Sequence, residues 1–308
     1  MTNSASAQTL LAQANAALQA GEADRALALL NSLAPSDAGQ AEAHNLQCRV
    51  RYTLEQWDAA ASQCEQAVRL DGQNSGYHLW LGRALGEKAD RATFLHAYSL
   101  AKRTRAEFEE SVRLDPRNAD ALADLGDFYR QAPGAVGGGI EKAQGIAAQL
   151  DKVDAARAHE LRGRIAEGRK DYGTAEREFK QAIAVAAHPA LQWITLASFY
   201  SRQKRWTEME SALHSGMTVA RRDMHSSVAL FDGAGVLTEA NRDPELAARM
   251  LEDYLAGSAK TEEAPAFVAH YRLAQLKEQF GDAAAADRER AAALALAHDY
   301  RPAQEAKH

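Results

Sequence analysis

The residues that could carry chemistry are few, and a glycine run is the first of them. The run Gly134–Gly139 precedes a predicted helix, and free N–H groups at a helix N-terminus attract phosphate. It lacks the Lys-Ser/Thr pair and the preceding strand of a phosphate-binding loop. A long hairpin turn is therefore expected here, with a nucleotide-dependent enzyme using this loop as the alternative.

The histidines form no recognisable site in the sequence. There are ten of them, and no two have the spacing of a metal-binding pair on one helical face. His159 and His270 are interpreted as helix-surface residues rather than as ligands or general bases. Hydrolase motifs such as G-x-S-x-G are absent as well. We predict no catalytic residue, no metal, no cofactor and no enzymatic activity.

Cys48 and Cys64 are the two cysteines of the chain. Both fall on inward-facing positions of one predicted helical hairpin, so they could face each other. A bridge in an oxidising compartment would stabilise the hairpin by about 3 kcal/mol on the loop-entropy model. Alternatively both are small core residues, as buried free cysteine often is. The sequence favours core residues and leaves the bridge open.

Composition excludes several classes of protein. The 308 residues carry 36 basic side chains and a net charge of −6, which argues against a dedicated nucleic-acid binder. No apolar run approaches the roughly 18–20 residues that cross a bilayer, so no membrane insertion is expected. The N-terminus lacks an intact secretory signal. The default localisation is cytoplasmic, or periplasmic or exported if a signal has been removed.

The elements that must position these residues are helical hairpins that recur along the chain. A small residue recurs in the first helix of each hairpin at intervals of 34 to 44 residues. These residues are Ala14, Cys48, Gly82, Gly126, Gly163, Ala197, Ala234 and Ala274. The corresponding position early in the second helix is Ala26, Ala60, Thr104, Ala143, Ala175, Met209, Ala247 and Ala286. Small residues let two helices approach closely, so the pattern predicts a repeat architecture.

These positions resemble the tetratricopeptide repeat, W-x2-L-G-x2-Y followed by A-x3-F. The best copies are WITLASFY at residues 193–200 and LGDFY at residues 125–129. The resemblance implies an all-α, right-handed α-α superhelix (solenoid) of about eight hairpins, with a generic helical bundle as the alternative. It implies a single domain over 1–308, with repeats near 7–40, 41–74, 75–118, 119–155, 156–189, 190–226, 227–266 and 267–300.

Two hairpins are enlarged in their inner turns, by about ten residues within 89–105 and about five within 132–139. Turns within repeats lie on one edge of a solenoid, so these two should form a local lip. We expect Phe94, Leu95, Tyr98 and Leu100 to pack on the neighbouring loop, with an exposed contact surface as the alternative. This stretch is similar to an arrangement in uncharacterised, often exported, bacterial tetratricopeptide proteins. At the other end, Arg290 suits the solvent-facing cap of a terminal repeat.

The resemblance also implies a concave groove lined by first helices. Candidate groove residues are Asn45, Arg49, Tyr52, Arg83, Asp127, Arg130 and Arg164, followed by Phe231 and Tyr271. The arginines could bind an acidic segment of a partner; alternatively, Asp127 neutralises Arg83 or Arg164. The prediction is a protein-protein interaction scaffold that binds a protein or peptide. A cell-envelope or secretion assembly factor is the alternative.

Overall fold

The protein, seen in a computed structural model, is described over residues 2–34 and 39–305. Its residues fall into two compact units. The first unit contains residues 1–11 and 32–185, and the second contains residues 12–31 and 186–308.

Helices account for almost all regular structure in the described ranges. In chain order they are α1 (Thr2–Gln19), α2 (Ala23–Asn31), α3 (Gln40–Thr53), α4 (Trp57–Leu70), α5 (Ser75–Arg91), α6 (Phe94–Leu114), α7 (Ala119–Gln131), α8 (Ile140–Leu150), α9 (Ala155–Gly168), α10 (Tyr172–Val185), α11 (Ala190–Arg202), α12 (Trp206–Ala220), α13 (Val228–Glu239), α14 (Pro244–Ala256), α15 (Ala266–Gln279), α16 (Ala283–Leu296) and α17 (Arg301–Glu305). Short 3-10 turns, η1 (Gly134–Val136) and η2 (Met224–Ser226), precede α8 and α13. Within these ranges no β-strand occurs, so the predicted all-α class is confirmed.

The small residues of the repeat pattern lie where two helices touch. A Cβ at Gly82 would lie 2.5 Å from the ring of Phe108, and one at Gly163 would lie 2.7 Å from the ring of Phe179. Both rings are buried. Because each ring occupies the space that a larger residue would need, these glycines allow the helices of a hairpin to pack in contact.

A second repeated contact joins the helices of four hairpins. A histidine four residues before the small residue hydrogen-bonds to a polar side chain of the second helix, at 2.6–2.7 Å. The pairs are His44–Gln63, His78–Glu107, His159–Glu178 and His270–Glu289. The interpretation of His159 and His270 as simple surface residues was therefore wrong: a partner on the facing helix holds each ring partly buried. Three pairs are 19 residues apart and the third-hairpin pair is 29 apart, which matches its predicted ten-residue enlargement.

The cysteines form a disulfide bond between α3 and α4. Cys48 and Cys64 are bonded, with Cα atoms 5.2 Å apart, and both are fully buried. The favoured expectation of two free core thiols is thus replaced by its alternative. Opposed inward positions on the two helices of one hairpin bring the sulfur atoms together.

In the second unit, residues from the beginning of the chain pack on the last hairpin. The side chain of Gln19 bonds to both the carboxylate and the backbone N–H of Glu262. The Asp24 carboxylate accepts a hydrogen bond from the backbone N–H of His298 at 2.9 Å. The side chain of Arg290 is only 12% exposed. The prediction that Arg290 faces solvent was wrong, because the carboxylates of Glu278 and Asp287 bind its guanidinium and leave little of its side chain exposed.

The end of the described chain folds back on the same unit. Tyr300 is buried, and its ring packs edge-on against Phe267 at a centroid distance of 5.0 Å. Throughout the described ranges, no helix combines the length and apolarity that would let it cross a membrane.

Candidate functional site

The candidate site of the first unit is built around α7. Asp120, Asp124 and Asp127 lie four and three residues apart, so their side chains project from one face of this helix. The Asn118 side chain caps the helix by accepting a hydrogen bond from the backbone N–H of Ala121 at 3.0 Å. The stripe of acids is visible in the sequence, but only Asp127 of the three was recognised as a site residue.

The predicted groove arginines bind these acids. Arg83 Nε donates to Asp124 Oδ2 at 2.6 Å. Arg164 forms an ion pair with Asp127, and Arg130 Nε donates to the other oxygen of Asp127 at 3.0 Å. The sequence alternative in which acids neutralise arginines within the groove therefore matches the geometry. Asp127 is the partner of Arg164, as that alternative proposed, whereas the partner of Arg83 is Asp124.

Burial makes the Arg83–Asp124 pair electrostatically distinct from a surface ion pair. Burial raises the pKa of Asp124, while the guanidinium of Arg83 acts to lower it. Burial alone would lower the pKa of Arg83, but the carboxylate of Asp124 raises it above its ordinary value. Each group is thus kept charged mainly by the other.

Next to this pair lies an aromatic cluster centred on Trp80. The guanidinium carbons of Arg83 and Arg49 lie 4.7 Å and 5.5 Å from the centroid of a Trp80 ring. Tyr52 packs edge-on against Trp80 at 5.5 Å and donates from Oη to Glu87 Oε1 at 3.3 Å. Burial, followed by the charge of Glu87, raises the pKa of the Tyr52 hydroxyl above its ordinary value. Trp80 was not identified from the sequence. The predicted groove positions lie one residue after and three residues before the small residue, or one turn further along, whereas Trp80 lies two residues before Gly82.

A cavity of about 540 Å³ opens beside these groups. Its lining includes Arg83, Asp124 and the rings of Tyr52, Phe108 and Phe128. The cavity is also lined by Thr104, which the sequence had counted only as a small packing residue. Thr104 is 3% exposed, and its hydroxyl has no hydrogen-bond partner in the described structure. A buried polar atom without a partner is uncommon. The hydroxyl oxygen is shielded from solvent, so the Thr104 side chain has to rotate before it can bond to a group in the cavity.

Six of the nine predicted groove residues do not line this cavity: Arg49, Arg130, Arg164, Asn45, Phe231 and Tyr271. Asn45 is only 5% exposed and its Nδ2 donates to Glu42 at 3.4 Å. In the second unit Phe231 is 4% exposed, beneath the guanidinium of Arg272 at 4.0 Å. Tyr271 packs edge-on against Tyr300 at 5.7 Å. Asn45 and Phe231 are therefore core side chains, because their helices turn these positions toward neighbouring helices.

The two enlarged turns join into the predicted lip, formed by residues 89–105 and 132–139. Tyr98 Oη donates to the carbonyl of Ala135 at 3.3 Å, and Arg105 donates to the carbonyl of Val136 at 3.2 Å. Phe94 is nevertheless 84% exposed and Leu95 78% exposed. The expectation that these two side chains pack on the next loop was wrong, because they lie on the first turn of α6, where the helix projects beyond its neighbours. Leu100, further along α6, is partly buried and packs near the disulfide.

The glycine run forms the hairpin turn expected of it. The backbone N–H groups of Gly137, Gly138 and Gly139 donate to the carbonyls of Gly134, Pro133 and Tyr129. Phosphate binding needs amide groups that are free to point at the anion. Since these amides already have partners within the loop, the geometry gives the nucleotide-binding alternative no support.

Known proteins similar to this chain cover different shares of it. No protein-family model matches the chain. Superkiller complex protein 3 of Mus musculus is 29% identical over 151 residues, covering 47% of this chain and 9% of that protein. A thermophilic tetratricopeptide-repeat protein from Thermus thermophilus has TM-score 0.53 and 17% identity, covering 63% of this chain and 98% of its own. A tetratricopeptide repeat protein from Parabacteroides merdae has TM-score 0.48 and 13% identity, covering 89% and 99%.

The chain therefore has the tetratricopeptide-repeat fold, as its pattern of small residues predicted. With sequence identities this low, the likeness establishes the fold, and the function has to be argued from the site.

Proposed function

We propose that this protein is an interaction scaffold that holds a segment of a partner protein in the cavity beside Thr104. The observation that carries the proposal is the cavity itself, in which a buried hydroxyl without a partner meets aromatic walls and fixed charges. Repeat proteins of this fold offer extended surfaces to other proteins. A partner side chain that enters the cavity would bury the apolar surface of its aromatic walls, and rotation of Thr104 would then offer its hydroxyl to that side chain.

The charges of the cavity favour a basic or donor-bearing side chain over an acidic one. Arg83 is engaged by Asp124, and Arg164 and Arg130 are engaged by Asp127. The cavity is also lined by Asp90, which is exposed and forms no hydrogen bond or ion pair in the described structure. A lysine or arginine of the partner would lay its aliphatic stem along the aromatic walls and bring its charge to the carboxylates. The predicted acidic segment of the partner remains a prediction, with no support from these contacts.

Filling the cavity tests the proposal. Gly86 lies within α5 on the cavity wall, and a Cβ there would meet only the methyl group of Thr104, at 3.7 Å. Gly86→Trp should therefore block the cavity without disturbing the helix. The matched control is Gly145→Trp, because Gly145 lies within α8 and a Cβ there meets nothing within 4 Å.

The measurement is affinity capture from the source organism's extract, followed by titration of the recovered partner. We expect the native chain and the Gly145→Trp variant to hold the same partner. Gly86→Trp should bind it at least about tenfold more weakly, which corresponds to about 1.4 kcal/mol. Equal binding by the two variants would show that the cavity is not the binding site.

The disulfide favours a second, more specific role as an assembly factor of the cell envelope or of a secretion machine. Bridges such as Cys48–Cys64 persist in oxidising compartments and are rare in the cytosol. Thiol labelling of protein isolated from its native source, before and after reduction, tests this role. Labelling of both cysteines without reductant would exclude it, whereas labelling only after reduction supports export.

A further inference from the structure

Two loops of the second unit bring a possible metal-ligand set together. His188 lies in the turn before α11, and Asp223 and His225 lie at η2, thirty-five residues or more along the chain. The separation is about one repeat, so the loops lie on the same edge of consecutive hairpins. In sequence these residues belong to no motif, which is why the prediction of no metal site did not consider them.

The ligand atoms of the three side chains converge. His188 Nδ1 lies 2.6 Å from Asp223 Oδ2, and His225 Nδ1 lies 3.3 Å from Asp223 Oδ1. All three ligand atoms are within 4.8 Å of one another. The two imidazole rings lie side by side, with centroids 5.0 Å apart and planes tilted by 35°. Among the described residues, no other set of three histidine, cysteine or carboxylate side chains converges in this way.

The carboxylate of Asp223 is held in place by groups other than the two imidazole rings. Ser226 Oγ donates to Asp223 Oδ2 at 2.9 Å, and the backbone N–H of His225 donates to Asp223 Oδ1 at 3.0 Å. Ser226 is itself only 5% exposed. Hydrogen bonds of this kind orient the ligands of protein metal sites and raise their affinity.

We propose that His188, Asp223 and His225 bind one divalent transition-metal ion of the zinc type. Imidazole nitrogen and carboxylate oxygen are ordinary ligands of Zn²⁺, at roughly 2.0–2.2 Å. The histidine side chains are 53% and 70% exposed, so small rotations can bring both nitrogens to that distance. On binding, the metal replaces the two hydrogen bonds to Asp223, and each histidine coordinates as the neutral imidazole.

Three protein ligands leave one position of a tetrahedral zinc ion for water or for a side chain of another molecule. The ion would link the loops of consecutive hairpins and stabilise the folded unit in proportion to its occupancy. Without a metal, hydrogen bonds between the same side chains connect the two loops. The test must therefore separate metal binding from this purely structural role.

The test is isothermal titration of the full chain, without an affinity tag, with ZnCl₂, together with Co²⁺ absorption spectroscopy. We expect one Zn²⁺ per chain and Co²⁺ ligand-field bands of low coordination number. His188→Ala, His225→Ala and Asp223→Asn should each weaken Zn²⁺ binding by at least about tenfold. The asparagine in Asp223→Asn keeps a side-chain oxygen that can cap η2. Loss of Zn²⁺ binding in that variant would therefore not be caused by a folding defect.

The matched control is His298→Ala, because His298 is 80% exposed and lies 3.3 Å from the carboxylate of Asp299. This variant should bind Zn²⁺ as the native chain does. The proposal is overturned if the native chain takes up no Zn²⁺ at a concentration of about 100 µM, which is well above the dissociation constant expected of a built site. It is equally overturned if the His298→Ala variant loses as much affinity as the triad variants, since binding would then be spread over surface histidines.

Discussion

Asp124 in the first unit and Asp232 in the second occupy the same position of the repeat, two residues before Gly126 and Ala234. Their surroundings differ. Asp124 accepts a hydrogen bond from Arg83 at 2.6 Å. Asp232 accepts no hydrogen bond in the described structure, and burial raises its pKa to about 6 even though Arg272 acts to lower it. Equivalent positions in a repeat therefore do not have equivalent electrostatic roles.

The difference lies in where the nearby guanidinium points. In the first unit, Arg83 reaches across to the acid on the next hairpin. In the second, the guanidinium of Arg272 lies over the ring of Phe231 at 4.0 Å and makes a cation–π contact. In the first unit, Asp124 thus forms an ion pair. In the second unit, Asp232 accepts no hydrogen bond in the described structure and lies beside an aromatic ring. The comparison makes three predictions.

The largest effect should come from removing the partner of Asp124. Arg83→Met leaves the half-buried carboxylate without its charge partner, which costs about 3 kcal/mol of unfolding free energy. Urea denaturation at pH 7 measures this cost. The double variant Arg83→Met/Asp124→Leu should recover most of it, because no unpaired charge remains. A loss below about 1 kcal/mol in the single variant would mean that water solvates Asp124 as well as Arg83 does.

The second effect has the opposite sign. Because the pKa of Asp232 in the folded protein, about 6, exceeds its ordinary value of 3.8, the fold loses stability as the pH rises from 3.8 to about 6, and the loss is complete above that pH. Asp232→Asn should raise the unfolding free energy by up to about 3 kcal/mol at pH 7.5, since a difference of one pKa unit corresponds to about 1.4 kcal/mol. The gain should shrink as the pH falls through about 6 and vanish below 3.8. Asp127→Asn, which weakens the ion pairs with Arg130 and Arg164, serves as the control and should lower the unfolding free energy at pH 7.5; the comparison fails if both variants raise it.

The smallest effect concerns the histidine contacts that the two units share. The hydrogen bond that His78 Nδ1 donates to the Glu107 carboxylate raises the pKa of His78 above its ordinary 6.5, so protonated His78 stabilises the fold. This stabilisation is fully present below pH 6.5 and is lost as the pH rises through the folded-state value. His78→Gln should therefore cost about 1–2 kcal/mol at pH 5.5, and less at pH 9.

The second unit provides the comparison for this prediction. The His270–Glu289 side chains are 23% and 26% exposed, against 10% and 20% for His78–Glu107. Since exposure weakens a charged hydrogen bond, His270→Gln should cost less than His78→Gln at pH 5.5. Equal costs, measured by urea denaturation of both variants, would show that burial does not decide the strength of these contacts.

Much of the fold could be predicted from the sequence because its signals are local and repeated. Small residues at intervals of 34 to 44 place the helix contacts, and Gly82 and Gly163 indeed lie against aromatic rings. The enlargement of the third hairpin was also visible, since it is an offset in the same spacing.

The candidate site was predicted less completely. Arg164 and Asp127 meet in an ion pair, and Arg83 and Asp127 line one cavity, because helical periodicity puts these positions on corresponding faces of neighbouring helices. The pairing of Arg83 with Asp124, and the cation–π contacts to Trp80, depend on how far each side chain reaches across to the next helix.

By itself, then, the sequence determined the helical hairpins, their repeat and the faces of their helices, since these depend on residues a few positions apart. Only the tertiary structure decided which arginine meets which acid, that Phe94 is exposed and Phe231 buried, and that His188 meets Asp223. Those contacts join residues about one repeat apart or lie on turns of variable length. Their geometry is set by the packing of neighbouring hairpins, which no local pattern records.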